Sequence, residues 1–103
     1  MAKITIVDDD PAMELLVDGF RYRGHEALRV GSVSEAFKAI DVIIKSDIVI
    51  LDILMPLADD ISSPYYQRRQ SGGMDLHIEI RKRNPTLPII ALSAIQDAVT
   101  IEA

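Results

Sequence analysis

Asp47-Ile48-Val49-Ile50-Leu51-Asp52-Ile53 is an apolar run bracketed by two carboxylates. A strand with one wet face alternates apolar and polar residues, whereas a continuous run suits a strand covered on both faces, as in a parallel sheet. The segment therefore predicts a buried strand with Asp52 at its C-terminal end. Upstream, Ile4-Thr5-Ile6-Val7 reads as a second buried strand and runs into Asp8-Asp9-Asp10-Pro11. Downstream, Leu87-Pro88-Ile89-Ile90-Ala91-Leu92 reads as another, and Glu26 to Val30 as a short one.

Helical patterns separate these strands. Asp10 suits an N-cap and Pro11 a first helical position, and Met13, Leu16, Val17 and Phe20 recur at helical spacing up to Gly24, a natural stop. Ser32-Val33-Ser34-Glu35 has capping-box spacing and opens a helix with an apolar face of Ala36, Phe37, Ile40, Ile43 and Ile44. Met74 to Arg83 predicts a third helix presenting Met74, His77 and Ile80, closed by Asn84-Pro85, and Ile95 to Glu102 offers about two turns of a further one. Leu57 to Ser71 has no steady period and reads as a long loop leading to Gly72-Gly73. Strands alternating with helices imply a layered α/β domain with a mainly parallel sheet and right-handed crossovers.

With 103 residues the chain has room for one core and one site. Its formal charge of −5 argues against direct nucleic-acid binding, which needs clustered Lys and Arg. There is no cysteine, hence no disulfide framework or thiolate chemistry. The N-terminus carries no signal-peptide pattern, and no apolar run approaches the roughly 18 residues of a membrane span. The expectation is a cytoplasmic protein without membrane contact.

In an open α/β sheet, ligands bind beyond the C-terminal ends of the strands. Asp8, Asp9 and Asp52 all stand at such ends. If their strands are neighbours, three carboxylates share a pocket and repel one another unless a cation neutralises them. Magnesium suits few carboxylates, a backbone carbonyl and water, and it also takes phosphate oxygens. Asp10 is better explained as a cap.

Three motifs in order, Val7-Asp8-Asp9-Asp10-Pro11, Leu51-Asp52-Ile53-Leu54-Met55-Pro56 and Pro88-Ile89-Ile90-Ala91-Leu92-Ser93-Ala94, resemble the receiver domains of response regulators. The resemblance covers nearly the whole chain. It implies a flavodoxin-like doubly wound parallel sheet of order 2-1-3-4 over residues 1–103, and a phosphorylation-controlled switch rather than an enzyme. It implies further that Asp52 accepts the phosphoryl group and that Asp9 and Asp52 bind Mg2+ directly. Asp8 would help through water, Leu54 would supply its backbone carbonyl, and Ser93 would contact the phosphoryl group. The implied partners are a histidine kinase or phosphotransfer protein and an output domain or target protein.

The sequence departs from the family pattern twice. No fifth parallel strand with its Lys-Pro pair and no fifth helix follow, which predicts an incomplete domain, an open fourth-strand edge and self-association through it. Leu57 to Ser71 stands where the family passes within a few residues from Met-Pro to Gly. Tyr65, Tyr66, Arg68 and Arg69 within it could form a lid over the site, the plainer alternative being a solvated loop. A phosphorylation-independent binding or assembly module is the competing function. A haloacid-dehalogenase-like phosphohydrolase fits worse, since Ala12 interrupts its Asp-x-Asp-x-Thr pattern. His25 and His77 lack metal-pair spacing.

Overall fold

The computed structural model describes residues 1–55, 69–93 and 98–102. Strands β1 (Lys3–Val7), β2 (Glu26–Val30), β3 (Ile48–Asp52) and β4 (Ile89–Ser93) lie in the order β2-β1-β3-β4, each parallel to its neighbour. This is the order expected from the sequence. Val7 pairs with Leu51 and Asp52 with Leu92, so the β1, β3 and β4 C-termini finish side by side.

The last described segment corrects an expectation. In place of a helix over Ile95 to Glu102, strand β5 (Ala98–Glu102) runs antiparallel to β4, with Ser93 opposite Ala98 and Ile89 opposite Glu102. Val99, Thr100 and Ile101 are β-branched, stiff at χ1 and suited to a pleated surface, and the unpaired edge of β4 offers them hydrogen-bond partners. The β4 edge is therefore covered, and the outer strands are β2 and β5.

Helix α1 (Glu14–Tyr22) follows a 3-10 turn at Pro11–Met13. Asp10 caps that turn through its carboxylate, which accepts from the Ala12 amide at 2.9 Å. Gly24 ends the segment at φ +89°, a left-handed conformation that costs glycine no Cβ clash. The Ser32 hydroxyl caps α2 (Val33–Lys38), accepting from the Glu35 amide at 3.1 Å, while Glu35 reaches back to the Gly31 amide at 3.2 Å. The single helix expected through Ile44 breaks at Ala39 (φ −100°, ψ 17°) and resumes as α3 (Ile40–Ile44). Every residue of α3 except Asp41 is β-branched, so its helical order rests on burying Ile40 and Ile43 rather than on propensity.

Helix α4 (Arg69–Arg83) begins earlier than expected and takes Gly72 and Gly73 into its body. Its buried side chains are Leu76 and, as expected, Ile80, whereas Met74, expected on the same face as Ile80, is 45% exposed. Counting from Gly73, positions 73, 76 and 80 form the inward face. A glycine carries no side chain to mark that face in the sequence.

Helices α2, α3 and α4 cover one side of the sheet over Val7, Val49, Leu51 and Ile89, and α1 covers the other over Ile4, Ile6 and Ile50. The alternation of Val49 and Leu51 with Ile48 and Ile50 between these two clusters explains the unbroken apolar run: both faces are buried. The α1 side is the thinner. Ile48, Ile90 and Leu92 are only partly buried there, and Leu16 is 38% exposed. Among the described residues no helix is long and apolar enough to cross a membrane.

Candidate functional site

The parallel register brings Asp8, Asp9 and Asp52 together at one end of the sheet. Each offers a carboxylate oxygen, and these oxygens all lie within 4.8 Å of one another. Oxygen ligands around an octahedral Mg2+ at 2.0–2.1 Å stand about 3 Å apart when adjacent and about 4.2 Å when opposite. The donor set is thus hard and all-oxygen, and its oxygens lie near enough to one another to face a single cation.

Asp8 is buried and tied to β2 through both its amide and its carbonyl. Its amide donates to the Val30 carbonyl at 3.1 Å, and its own carbonyl accepts from Arg29 Nη1 at 2.9 Å. Its Oδ1 accepts from the Asp10 amide at 2.9 Å. Burial pushes the Asp8 carboxyl above the ordinary carboxylate range, with the Asp9 and Asp10 charges adding to the rise; the Asp10 amide bond and the Arg29 charge oppose it. A group in that position gains from a cation.

Asp52 is half-buried at the end of β3, its Oδ1 accepting from the Leu54 amide at 2.9 Å. The Ile53 amide donates to the Leu92 carbonyl at 3.1 Å, which fixes the chain between Asp52 and Leu54 against β4. Ser93 follows Leu92, the pairing partner of Asp52, and so ends the neighbouring strand one residue further on. Tyr65, Tyr66 and Arg68, which the sequence offered for a lid or a solvated loop, lie outside the described residues, and Arg69 is the first residue of α4. His25 stays away from the carboxylates: its Nδ1 accepts from the Ala2 amide at 3.0 Å and its ring meets Phe20 edge-on. Among the described residues, neither His25 nor His77 belongs to a group that could hold a metal.

Two residues at the site went unread in the sequence. Gly73 lets α4 approach the β3 C-terminus closely, its amide donating to the Ile53 carbonyl at 3.2 Å; a Cβ there would fall 2.5 Å from both Ile53 Cα and its carbonyl oxygen. Its sequence signal is only a glycine pair just ahead of a helical pattern. Arg29 reaches the site from β2, and nothing local distinguishes it from a solvated arginine.

No protein-family model matches the sequence. The chain is 32% identical over 97 residues to a probable transcriptional regulatory protein, TcrX, of Mycobacterium tuberculosis, covering 93% of this chain. It spans about a third (35%) of that relative's length. Among solved structures it is 33% identical to the response regulator protein TrrA of Thermotoga maritima, crystallised in complex with Mg(2+)-BeF, with a TM-score of 0.67 over 91% of this chain and 70% of that one. It is 25% identical to the non-phosphorylated HemR receiver domain of Leptospira biflexa, with a TM-score of 0.69 over 95% of this chain and 68% of that one.

Proposed function

The chain belongs to the response-regulator receiver family, a family of signalling domains rather than classical enzymes, and on that premise we propose that it accepts a phosphoryl group on Asp52 from a histidine kinase or phosphotransfer protein in a Mg2+-dependent reaction. The observation that carries this reading is the convergence of three carboxylate oxygens within 4.8 Å at the ends of the adjacent strands β1 and β3. The magnesium in the TrrA complex supports the choice of ion.

Asp9 and Asp52 would hold the ion directly, Asp8 would assist through water, and the Leu54 carbonyl would complete the protein's ligands. Bound there, Mg2+ supplies charge neutralisation for the phosphoryl oxygens. An Asp52 carboxylate oxygen forms the new bond to phosphorus while the P–N bond of the donor phosphohistidine breaks, its electron pair staying on the imidazole nitrogen. The Leu54 amide, bonded to Asp52 Oδ1, orients the carboxylate for that attack. Ser93 at the end of β4 is the proposed phosphoryl contact that couples the chemistry to the strand.

In this reading residues 1–103 form one receiver unit, with an insertion at about 57–71 whose last residues belong to the start of α4, acting in the cytoplasm on an output domain or target protein. Self-association through a sheet edge belongs to it as well; with β4 covered, the edges open to a second copy are the outer sides of β2 and β5.

Incubation with acetyl phosphate and Mg2+, followed by intact mass, tests the reading. A Mg2+-dependent phosphoryl adduct on the parent that is lost in Asp52→Asn supports it. An adduct retained by Asp52→Asn, or none on the folded parent, overturns it, the latter in favour of a phosphorylation-independent binding module.

A further inference from the structure

Arg29 joins three pieces of the chain. Standing on β2, it donates from Nη1 to the Asp8 carbonyl at 2.9 Å and from Nε to Glu14 Oε1, also at 2.9 Å, and Glu14 is the first residue of α1. The Asp8 carbonyl belongs to the peptide that links Asp8 to Asp9. A bond that fixes this peptide plane fixes the directions in which both carboxylates leave the backbone. The guanidinium is itself constrained: its side chain is 20% exposed and tethered at Glu14. Gly31 leaves room for it, since a Cβ at that position would stand 3.0 Å from Nη1.

A cation beside a cation site acts in two opposed ways. Its charge repels Mg2+, which weakens binding. Its hydrogen bonds hold the ligands in place, which strengthens binding by sparing the turn the entropy of ordering itself. Arg29 donates to a backbone carbonyl and to Glu14, whose carboxylate balances part of its charge. The two effects oppose each other, and their net sign is what a measurement of Mg2+ affinity reads.

We propose that Arg29 is a positioning residue for the metal-binding turn, its planar fork locking the Asp8–Asp9 peptide to the start of α1 so that both carboxylates face Asp52. This rests on the Mg2+ reading above and assigns one of its determinants to β2. Lysine cannot replace it, because a single ammonium on a flexible stem does not span two acceptors with fixed geometry.

The two effects differ in sign, which makes the test decisive. Calorimetric titration of MgCl2 into the parent, Arg29→Gln and Arg29→Lys gives three affinities, with urea unfolding of each as a check on folding. Positioning predicts about tenfold weaker binding in both variants, the scale seen when a group supporting a metal ligand is removed. Charge alone predicts tighter binding for Arg29→Gln and no change for Arg29→Lys. Amide hydrogen exchange gives a readout independent of metal: the Asp10 amide, held by Asp8 Oδ1, exchanges faster in both variants, while the Ile53 amide on the other side of the site keeps its parent rate. Binding in Arg29→Gln as tight as in the parent, or tighter, overturns the role of Arg29 alone. A folded parent that fails to bind Mg2+ overturns the metal reading on which it rests.

Discussion

Two glycine-to-alanine substitutions should move stability in opposite directions. Gly19 lies in α1 and Gly73 in α4, so each change gains helix propensity, about 0.8–1.0 kcal/mol per residue in a helix interior. At Gly19 nothing lies within 4 Å of an added Cβ, and the gain is realised. At Gly73 the Cβ would meet the Asp52 carbonyl and stand 2.5 Å from Ile53 Cα and carbonyl oxygen. All three are backbone atoms, so no side chain can turn aside; α4 must move and stretch its amide bond to Ile53. Overpacking of this kind costs about 1–3 kcal/mol, and with backbone neighbours the upper half of that range applies, leaving a net loss of about 1–2 kcal/mol after the propensity gain. In a domain of this size each kcal/mol shifts the melting temperature by about 4–8 °C. Thermal unfolding followed by circular dichroism should show Gly19→Ala melting above the parent and Gly73→Ala below it. Because Ile53 sits between Asp52 and Leu54, Gly73→Ala should also weaken Mg2+ binding, and Gly19→Ala should leave it unchanged. A Gly73→Ala protein as stable as the parent would refute the close approach of α4 to β3.

Burial raises the Asp8 carboxyl above its ordinary value, so the metal-free folded state holds that proton more tightly than the unfolded chain. The associated stability is fully present below the ordinary carboxylate range and is lost as the pH rises through the raised value. Asp8→Asn, which keeps an acceptor for the Asp10 amide, should therefore melt higher than the parent at neutral pH without metal; a lower melting point would refute the argument. The parent should regain stability with Mg2+, by about 2.7 kcal/mol at a hundredfold excess over its dissociation constant, and Asp8→Asn should regain less, checked by melts with and without MgCl2. Leu76 is fully buried against the sheet, so Leu76→Ala should cost about 2–5 kcal/mol in urea unfolding. Leu15, 76% exposed, should tolerate alanine within about 0.5 kcal/mol, and similar losses at the two positions would contradict the assigned face of α1.

The parallel core was legible because its cause is local: Ile48 to Leu51 are apolar on both faces, and few other arrangements bury both. The carboxylates were legible for a related reason, each standing at the end of such a strand. The face of α4 was misread because its pattern starts from Gly73, where the informative feature is the absence of a side chain. The split at Ala39 was hidden because Ala36, Ile40 and Ile43 keep helical spacing across it. The final segment was read as about two turns of helix, although Val99-Thr100-Ile101 carries the composition of a strand. Arg29 was beyond reach for a different reason: its partners Glu14 and the Asp8 carbonyl are 15 and 21 residues away in sequence. Only the pairing of β2 with β1 brings them together.

That non-local layer changes how the site is understood. The carboxylates repel one another, and Asp8 is buried as well, so the metal-free turn is under electrostatic load. Side-chain contacts alone would let it open. The backbone is instead restrained from both sides: Val30 and Arg29 hold the Asp8 peptide toward β2, while Leu92 and Gly73 hold Ile53 toward β4 and α4. The pairing of β1 with β3 keeps the load from relaxing by a spread of the two strands, and a divalent cation becomes the readiest way to relieve it. Loosening either restraint should reduce affinity for the ion without touching a ligand. Arg29 and Gly73 test that from opposite sides of the pocket, one through the direction of the Asp8–Asp9 peptide and the other through the seat of Asp52.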